Sequence, residues 1–475
     1  MKRASGVLMH VSSLWGEYSE GSFGQAAKEW IDFLADCGFS YWQTLPFCLP
    51  DEYNSPYKSY SAFSFNPLFI DLEKLFDDGL LTEKELGSAR EKSPYLCEFD
   101  RKDERLEVLK KASERFDTNE TESFFESHPR SQKYCEFMAI RKANDGKPWQ
   151  EWDYTLIDLD EYKLRKFTEY VFFKQWCEIK DYANKKGIKI IGDIPIYVSL
   201  DSADVWENPH LFLLDKNNHP TSVAGVPPDY FSTNGQLWGN PLYNWHEMKK
   251  DSYKWWCDRI KFMCELFDGV RIDHFRGLEA FFAIQAKEAT AKNGKWVKGP
   301  GMPFIREIKK ITEGKLVIAE DLGDITPKAK KLVENSTFPG MRVLQFGFLG
   351  DLDSPHLHHN YENNLVDYTG THDNNTLLGF VWELEENGRK NLFDYFGHAG
   401  QNWDMLYDVI MRQLLASSAG LVIFPIQDIL HFGSDTRLNT PGKAENNWAF
   451  RVTKKQIESI DTNKFRHLNK IYSRA

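Results

Sequence analysis

No C-x-x-C pair occurs in this chain, and its seven cysteines are odd in number and widely spaced from Cys37 to Cys264. That spacing argues against a disulfide framework or a cysteine-rich zinc site and points to reduced thiols in the cytoplasm. No H-E-x-x-H run is present either, which removes the tightest of the zinc-ligand spacings. Apolar stretches of membrane-spanning length are missing, so no transmembrane helix is expected. The apolar run after Met1-Lys2-Arg3 is broken by His10, Ser12 and Ser13, too soon for a signal peptide. Basic excess is absent: 59 Lys and Arg face 70 Asp and Glu, a net charge of −11. Such a surface disfavours nucleic acid and anionic membranes as partners. Internal repeats and low-complexity linkers are also lacking.

What the chain does have is length and aromatic rings. Its 475 residues are 41% apolar, enough for one large core. Fifteen per cent are Phe, Tyr or Trp. Core packing is the default use of such rings, although they also make flat platforms for the apolar faces of sugars. Short β-rich runs at 6–13, 41–47, 188–198, 269–275, 315–321, 341–348, 365–371 and 421–426 mostly end in polar residues. Helical stretches such as 25–37, 170–184 and 255–267 lie between them. Strands alternating with helices imply a parallel sheet with right-handed crossovers, and eight of them suggest an α/β fold of the (β/α)8 TIM-barrel type.

A plain barrel needs about 250 residues, so the surplus must lie in large insertions, expected to be mainly helical. The expected organisation is one catalytic domain over 1–475. A helical subdomain is inserted at 72–147, where the charged sequence reads as helices at 81–91 and 103–116. A second insert at 200–243, rich in Asn, Pro, Gly and Trp, reads as irregular.

Four carboxylates fall at the C-terminal ends of different strands, where a barrel keeps its active site. In Val270-Arg271-Ile272-Asp273-His274, strand alternation puts Arg271 and Asp273 on the lumen side. A buried ion pair adds little stability for its own sake, but an arginine keeps a neighbouring acid ionised, as a nucleophile requires. A structural salt bridge is the plain alternative. Glu320 ends Val317-Ile318-Ala319 in apolar surroundings, which raise a carboxyl pKa and suit a general acid; a metal ligand or helix cap would look the same. Asp373 follows the seventh strand and Asp193 ends the third. Two chemistries use such a cluster. Metal-assisted hydrolysis would recruit His356, His358, His359, His372 and Asp373. Glycosyl transfer needs two opposed carboxyls, and it fits better.

These motifs resemble the amylomaltases, or 4-alpha-glucanotransferases, of glycoside hydrolase family 77. The strongest matches are Arg271-Ile272-Asp273-His274-Phe275-Arg276-Gly277, Ala319-Glu320-Asp321-Leu322-Gly323 and Tyr368-Thr369-Gly370-Thr371-His372-Asp373-Asn374. Asn54-Ser55-Pro56-Tyr57, Pro227-Pro228-Asp229-Tyr230-Phe231 and Gly235-Gln236-Leu237-Trp238-Gly239-Asn240-Pro241 add to them. The resemblance implies Asp273 as nucleophile, Glu320 as acid/base and Asp373 as a third carboxylate gripping the sugar in subsite −1. It implies substrate contacts from Tyr57, Ser55, Asp193, Gln236, Trp238, Arg271, His274, His372 and Asn439. The 200–243 insert would cover the cleft. Donor and acceptor would be α-1,4-glucan chains, and neither metal nor cofactor is implied. Two rim segments depart from the family pattern: Leu45-Pro46-Phe47-Cys48-Leu49-Pro50-Asp51 replaces a glycine-rich run, and Asn446-Asn447-Trp448 stands where Gly-Asn-Trp is usual. Both bear on chain-length preference. An amylase-type hydrolase and a non-catalytic glucan-binding barrel are the competing readings.

Overall fold

The computed structural model describes the chain apart from residues 1, 51–52, 229–232, 351, 363, 399–401 and 444. Of the motif residues, Asp51, Asp229, Tyr230 and Phe231 thus lie outside the described residues. In chain order the strands are β1 (Ala4–Leu8), β2 (Tyr41–Gln43), β3 (Lys189–Ile194), β4 (Ser222–Val226), β5 (Gln236–Pro241) and β6 (Gly269–Ile272). They continue with β7 (Ala280–Gln285), β8 (Lys295–Lys298), β9 (Leu316–Ala319), β10 (Gly340–Val343), β11 (Leu365–Tyr368) and β12 (Leu421–Pro425).

Eight of these form a parallel sheet in the order β10-β11-β12-β1-β2-β3-β6-β9. Its two ends meet where Ala319 N–H donates to Pro339 O at 2.9 Å. At this seam the carboxylate of Asp321 takes the place of a ladder carbonyl, accepting Met341 N–H at 2.6 Å. Gly340 makes room for it, since a Cβ there would sit 2.6 Å from Asp321 Oδ2. The architecture is therefore the expected (β/α)8 barrel, and each of its strands falls within or beside an apolar run of the sequence. The strands are shorter than the runs, because each run continues into the loop that carries the polar groups at the barrel mouth.

Aromatic rings supply much of the core. Phe23, Phe47, Phe69, Phe172, Trp176 and Phe267 pack between β2, β3 and the helix Leu159–Lys185. That helix starts eleven residues earlier than the sequence predicts. Asp158 caps it by accepting Glu161 N–H at 2.9 Å, and its charged first turns pack beside the helices Lys102–Arg115 and Pro129–Ala143 of the 72–147 segment. A ring as large as Phe267 fits beside β3 because residue 192 is glycine; a Cβ there would collide with it.

The reading of 200–243 as irregular is corrected. β4 and β5 lie in a four-stranded antiparallel sheet of order β5-β4-β7-β8. Gly, Asn and Pro hide strand propensity in these segments. What makes them strands is pairing with β7, a partner more than 50 residues downstream of β4, which no local pattern reveals.

Candidate active site

The parallel register sets Asp193 of β3 directly beside Arg271 of β6. Arg271 is buried and bridges two acids: Nη1 donates to Asp193 Oδ2 at 2.6 Å and Nη2 to Asp273 Oδ1 at 2.8 Å. Asp193 Oδ2 also accepts the Tyr57 hydroxyl at 2.6 Å. Its other oxygen is buried with no hydrogen-bond partner among the described residues. Burial pushes the Asp193 carboxyl up, with Arg271 opposing. Burial would lower the Arg271 pKa, but the charges of Asp193 and Asp273 carry it well above its ordinary value. Arg271 therefore stays cationic between the two acids.

One residue beyond β6 and one beyond β9, the ladder continues into the site: Asp273 N–H donates to Ile194 O at 3.0 Å and Glu320 N–H to Ile272 O at 3.1 Å. These bonds fix both backbones at adjacent positions on the barrel mouth. His274 then turns into the left-handed region, with φ +46°. In this conformation its N–H reaches Glu320 Oε2 at 2.6 Å, while Leu322 N–H reaches Oε1 at 3.0 Å. Burial pushes the Glu320 carboxyl up to about 7, helped by the charge of Asp273 and opposed by Arg271. A carboxyl with that value can both give and take a proton near neutrality.

Asp373 faces the cleft differently. Asn439 Nδ2 donates to its Oδ1 at 2.6 Å and His372 Nε2 lies 3.2 Å from Oδ2. Burial would raise the Asp373 carboxyl, but His372 and the Asn439 hydrogen bond together hold it well below the usual carboxylate range. Its side chain is still 42% exposed, so an ionised acceptor is presented to the cleft. The Tyr57 ring stacks on His372, centroids 5.2 Å apart and 17° from parallel. Trp238 meets His274 edge-on at 5.0 Å.

A family model described as 4-alpha-glucanotransferase matches residues 9–456. The chain belongs to the 4-alpha-glucanotransferase family. Among curated members, the 4-alpha-glucanotransferase of Clostridium butyricum is 41% identical over 98% of this chain and 100% of its own length. That of Thermus thermophilus is 39% identical over 95% of each. Among solved structures, the amylomaltase of Streptococcus agalactiae in complex with acarbose superposes with a TM-score of 0.96, at 35% identity over the whole of both chains. The Corynebacterium glutamicum amylomaltase shares the fold at a TM-score of 0.80 and 17% identity, over 99% of this chain and 75% of its own.

Within this family frame, the structure gathers Asp193, Arg271, Asp273, His274, Glu320, His372, Asp373, Asn439, Tyr57 and Trp238 into one connected mouth. Gln236 joins it through Trp238, whose Nε1 donates to Gln236 Oε1 at 3.1 Å. Ser55 is placed indirectly: its Oγ accepts Tyr57 N–H at 3.3 Å and so supports the turn presenting the tyrosine. Among the histidines considered as metal ligands, His356 and His359 have other partners, whereas both ring nitrogens of His358 are buried without a hydrogen-bond partner among the described residues. His356 Nδ1 accepts Val343 N–H, and His359 contacts the Tyr395 hydroxyl. Among the described residues no three His, Cys, Asp or Glu side chains converge as a metal site.

Arg437 escaped the sequence reading, and Trp448 entered it only within the rim segment Asn446-Asn447-Trp448. Arg437 donates through Nη2 to Asp373 O at 2.6 Å and through Nε to Asn439 O at 2.7 Å. It thus ties the loop after β11 to the loop after β12. Trp448 lies against both Tyr57 and His372, with centroids 5.8 and 6.0 Å away. Proximity in sequence to Asn439 is the only signal that pointed towards Arg437.

Proposed function

We propose that this member of the 4-alpha-glucanotransferase family moves α-1,4-glucan segments between chains by a retaining double displacement, with Asp273 as nucleophile and Glu320 as acid/base. The observation that carries the assignment is the pairing at the mouth. Asp273 is held by a cationic arginine, and next to it Glu320 has a pKa near 7. Asp273 attacks the anomeric carbon as Glu320 protonates the departing glycosidic oxygen, and a β-linked glucosyl ester forms. The acceptor's 4-hydroxyl then loses its proton to Glu320 and attacks the same carbon. The ester bond breaks and the α-configuration returns. A retaining pair calls for carboxyls about 5–5.5 Å apart.

Asp373, His372 and Asn439 bind the hydroxyls of the sugar in subsite −1, and Tyr57 and Trp238 stack against sugar faces. Segment 72–147 serves as a helical subdomain, and 200–243 covers the cleft and favours a sugar acceptor over water. The wide cysteine spacing supports a cytoplasmic location; no helix among the described residues is long and apolar enough to cross a membrane.

The decisive experiment is the product profile from pure maltotriose. Transfer yields glucose and a ladder of longer oligosaccharides at constant total reducing ends. Rising reducing ends without longer products would identify an amylase-type hydrolase instead.

A further inference from the structure

Most of the aromatic rings are buried, but Trp382 and Trp403 are 57% and 37% exposed. The two indoles form one feature, with centroids 6.2 Å apart and planes at 82°. Phe393 backs Trp403 at 6.4 Å. Both rings sit on helix ends held by hydrogen bonds. Arg389 donates to the carbonyls of Val381, Trp382 and Leu384 and so closes the end of the helix Leu377–Glu383 that carries Trp382. Asn402 caps the helix Trp403–Ala416 by accepting Met405 N–H at 3.1 Å, which fixes Trp403 at its first position.

The pair stands beside the site rather than in it. The helix Leu377–Glu383 begins immediately after the Asp373 loop. Glu383, next to Trp382, acts electrostatically on Arg437, the residue that holds Asp373. The exposed faces of the two rings amount to roughly 200 Å², at about 150–250 Å² per full side chain. A specific protein interface needs about 800 Å² per partner, so a second copy of the chain is a poor fit. A coiled sugar polymer fits better: two apolar faces at right angles match successive sugar rings that turn away from each other. An exposed polar rim, with Asp404 paired to His431, would meet the hydroxyls.

We propose that Trp382 and Trp403 form a surface site for an α-1,4-glucan chain on the rim of the catalytic mouth, an inference that rests on the glucanotransferase reading. The site retains long chains and plays no part in turnover of short ones.

The test uses full-length W382A, W403A and the double variant, with W382Y as the control that keeps a ring. Mobility in native gels containing amylose is measured alongside initial rates on maltotriose and on amylose. The double variant should bind amylose about tenfold more weakly and show a correspondingly raised KM for it. W382Y should bind nearly as the parent does, and all variants should turn over maltotriose at parental rates. Unchanged retardation of the double variant would overturn the proposal. So would an equal loss on maltotriose at unchanged Tm, which would place the pair in the cleft. Loss of a dimer with amylose binding intact would identify a protein interface instead. If the parent protein itself gives no ladder from maltotriose, the transferase reading fails while the gels still report on binding.

Discussion

The main-chain N–H of His274 donates to Glu320 Oε2 at 2.6 Å, so the residue immediately after the proposed nucleophile holds the proposed proton donor. This contact depends on a left-handed backbone at a non-glycine residue. His274→Gly should keep the backbone and fold normally. His274→Val should cost about 1–2 kcal/mol, because a β-branched side chain resists that conformation. With the N–H displaced, the ionised form of Glu320 loses a hydrogen bond and its pKa rises. Denaturant titration and the pH profile of the two variants check both effects.

Glu320, the proposed proton donor, should set the alkaline limb of activity. Its protonated form is the one that donates, so kcat/KM should fall as pH rises through about 7. Glu320→Gln should lose about 10²–10⁴-fold on maltotriose and lose the limb with it. A maltosyl fluoride donor, whose leaving group needs no proton, should be far less affected in forming its maltosyl ester on the enzyme. Rates from pH 5 to 9 with both donors decide the matter; a limb that persists in Glu320→Gln would reassign it.

Arg271 is the only cation hydrogen-bonded to the buried Asp193 among the described residues. Arg271→Ala strands that carboxylate in the barrel and should cost about 3–5 kcal/mol by chemical denaturation. Replacing Asp193 by Asn in the same background should restore much of the loss, since the uncompensated charge is gone.

Arg437 and Asn439 should act as one unit on Asp373. Arg437→Gln and Asn439→Ala should each lower kcat/KM by about 10- to 100-fold, the worth of a hydrogen bond to a charged group. The double variant should be little worse than the poorer single one. Additive losses would mean that the arginine acts elsewhere.

The barrel strands were legible because each pairs a short apolar run with a polar exit, and the carboxylates were legible because strand parity and strand end define a barrel's mouth. Arg271 and Asp273 show this well: two residues apart, they share a face by the geometry of one strand. What stayed hidden depends on contacts between distant segments. β4 becomes a strand only by pairing with β7. Arg437 matters only because two loops fold towards each other. The backbone donor at His274 has no side-chain signature at all.

The seam between β9 and β10 has a consequence for how the molecule fails when heated. Elsewhere the ring is zipped by continuous ladders, but here it is joined by Ala319 to Pro339 and by the carboxylate of Asp321. A ring with one thin joint opens there first, and Glu320 sits between the two residues that make it. Moderate heating should therefore misalign the proton donor while the helices stay intact. Catalytic half-life would run out well before the far-UV signal melts, and Asp321→Asn would widen that interval.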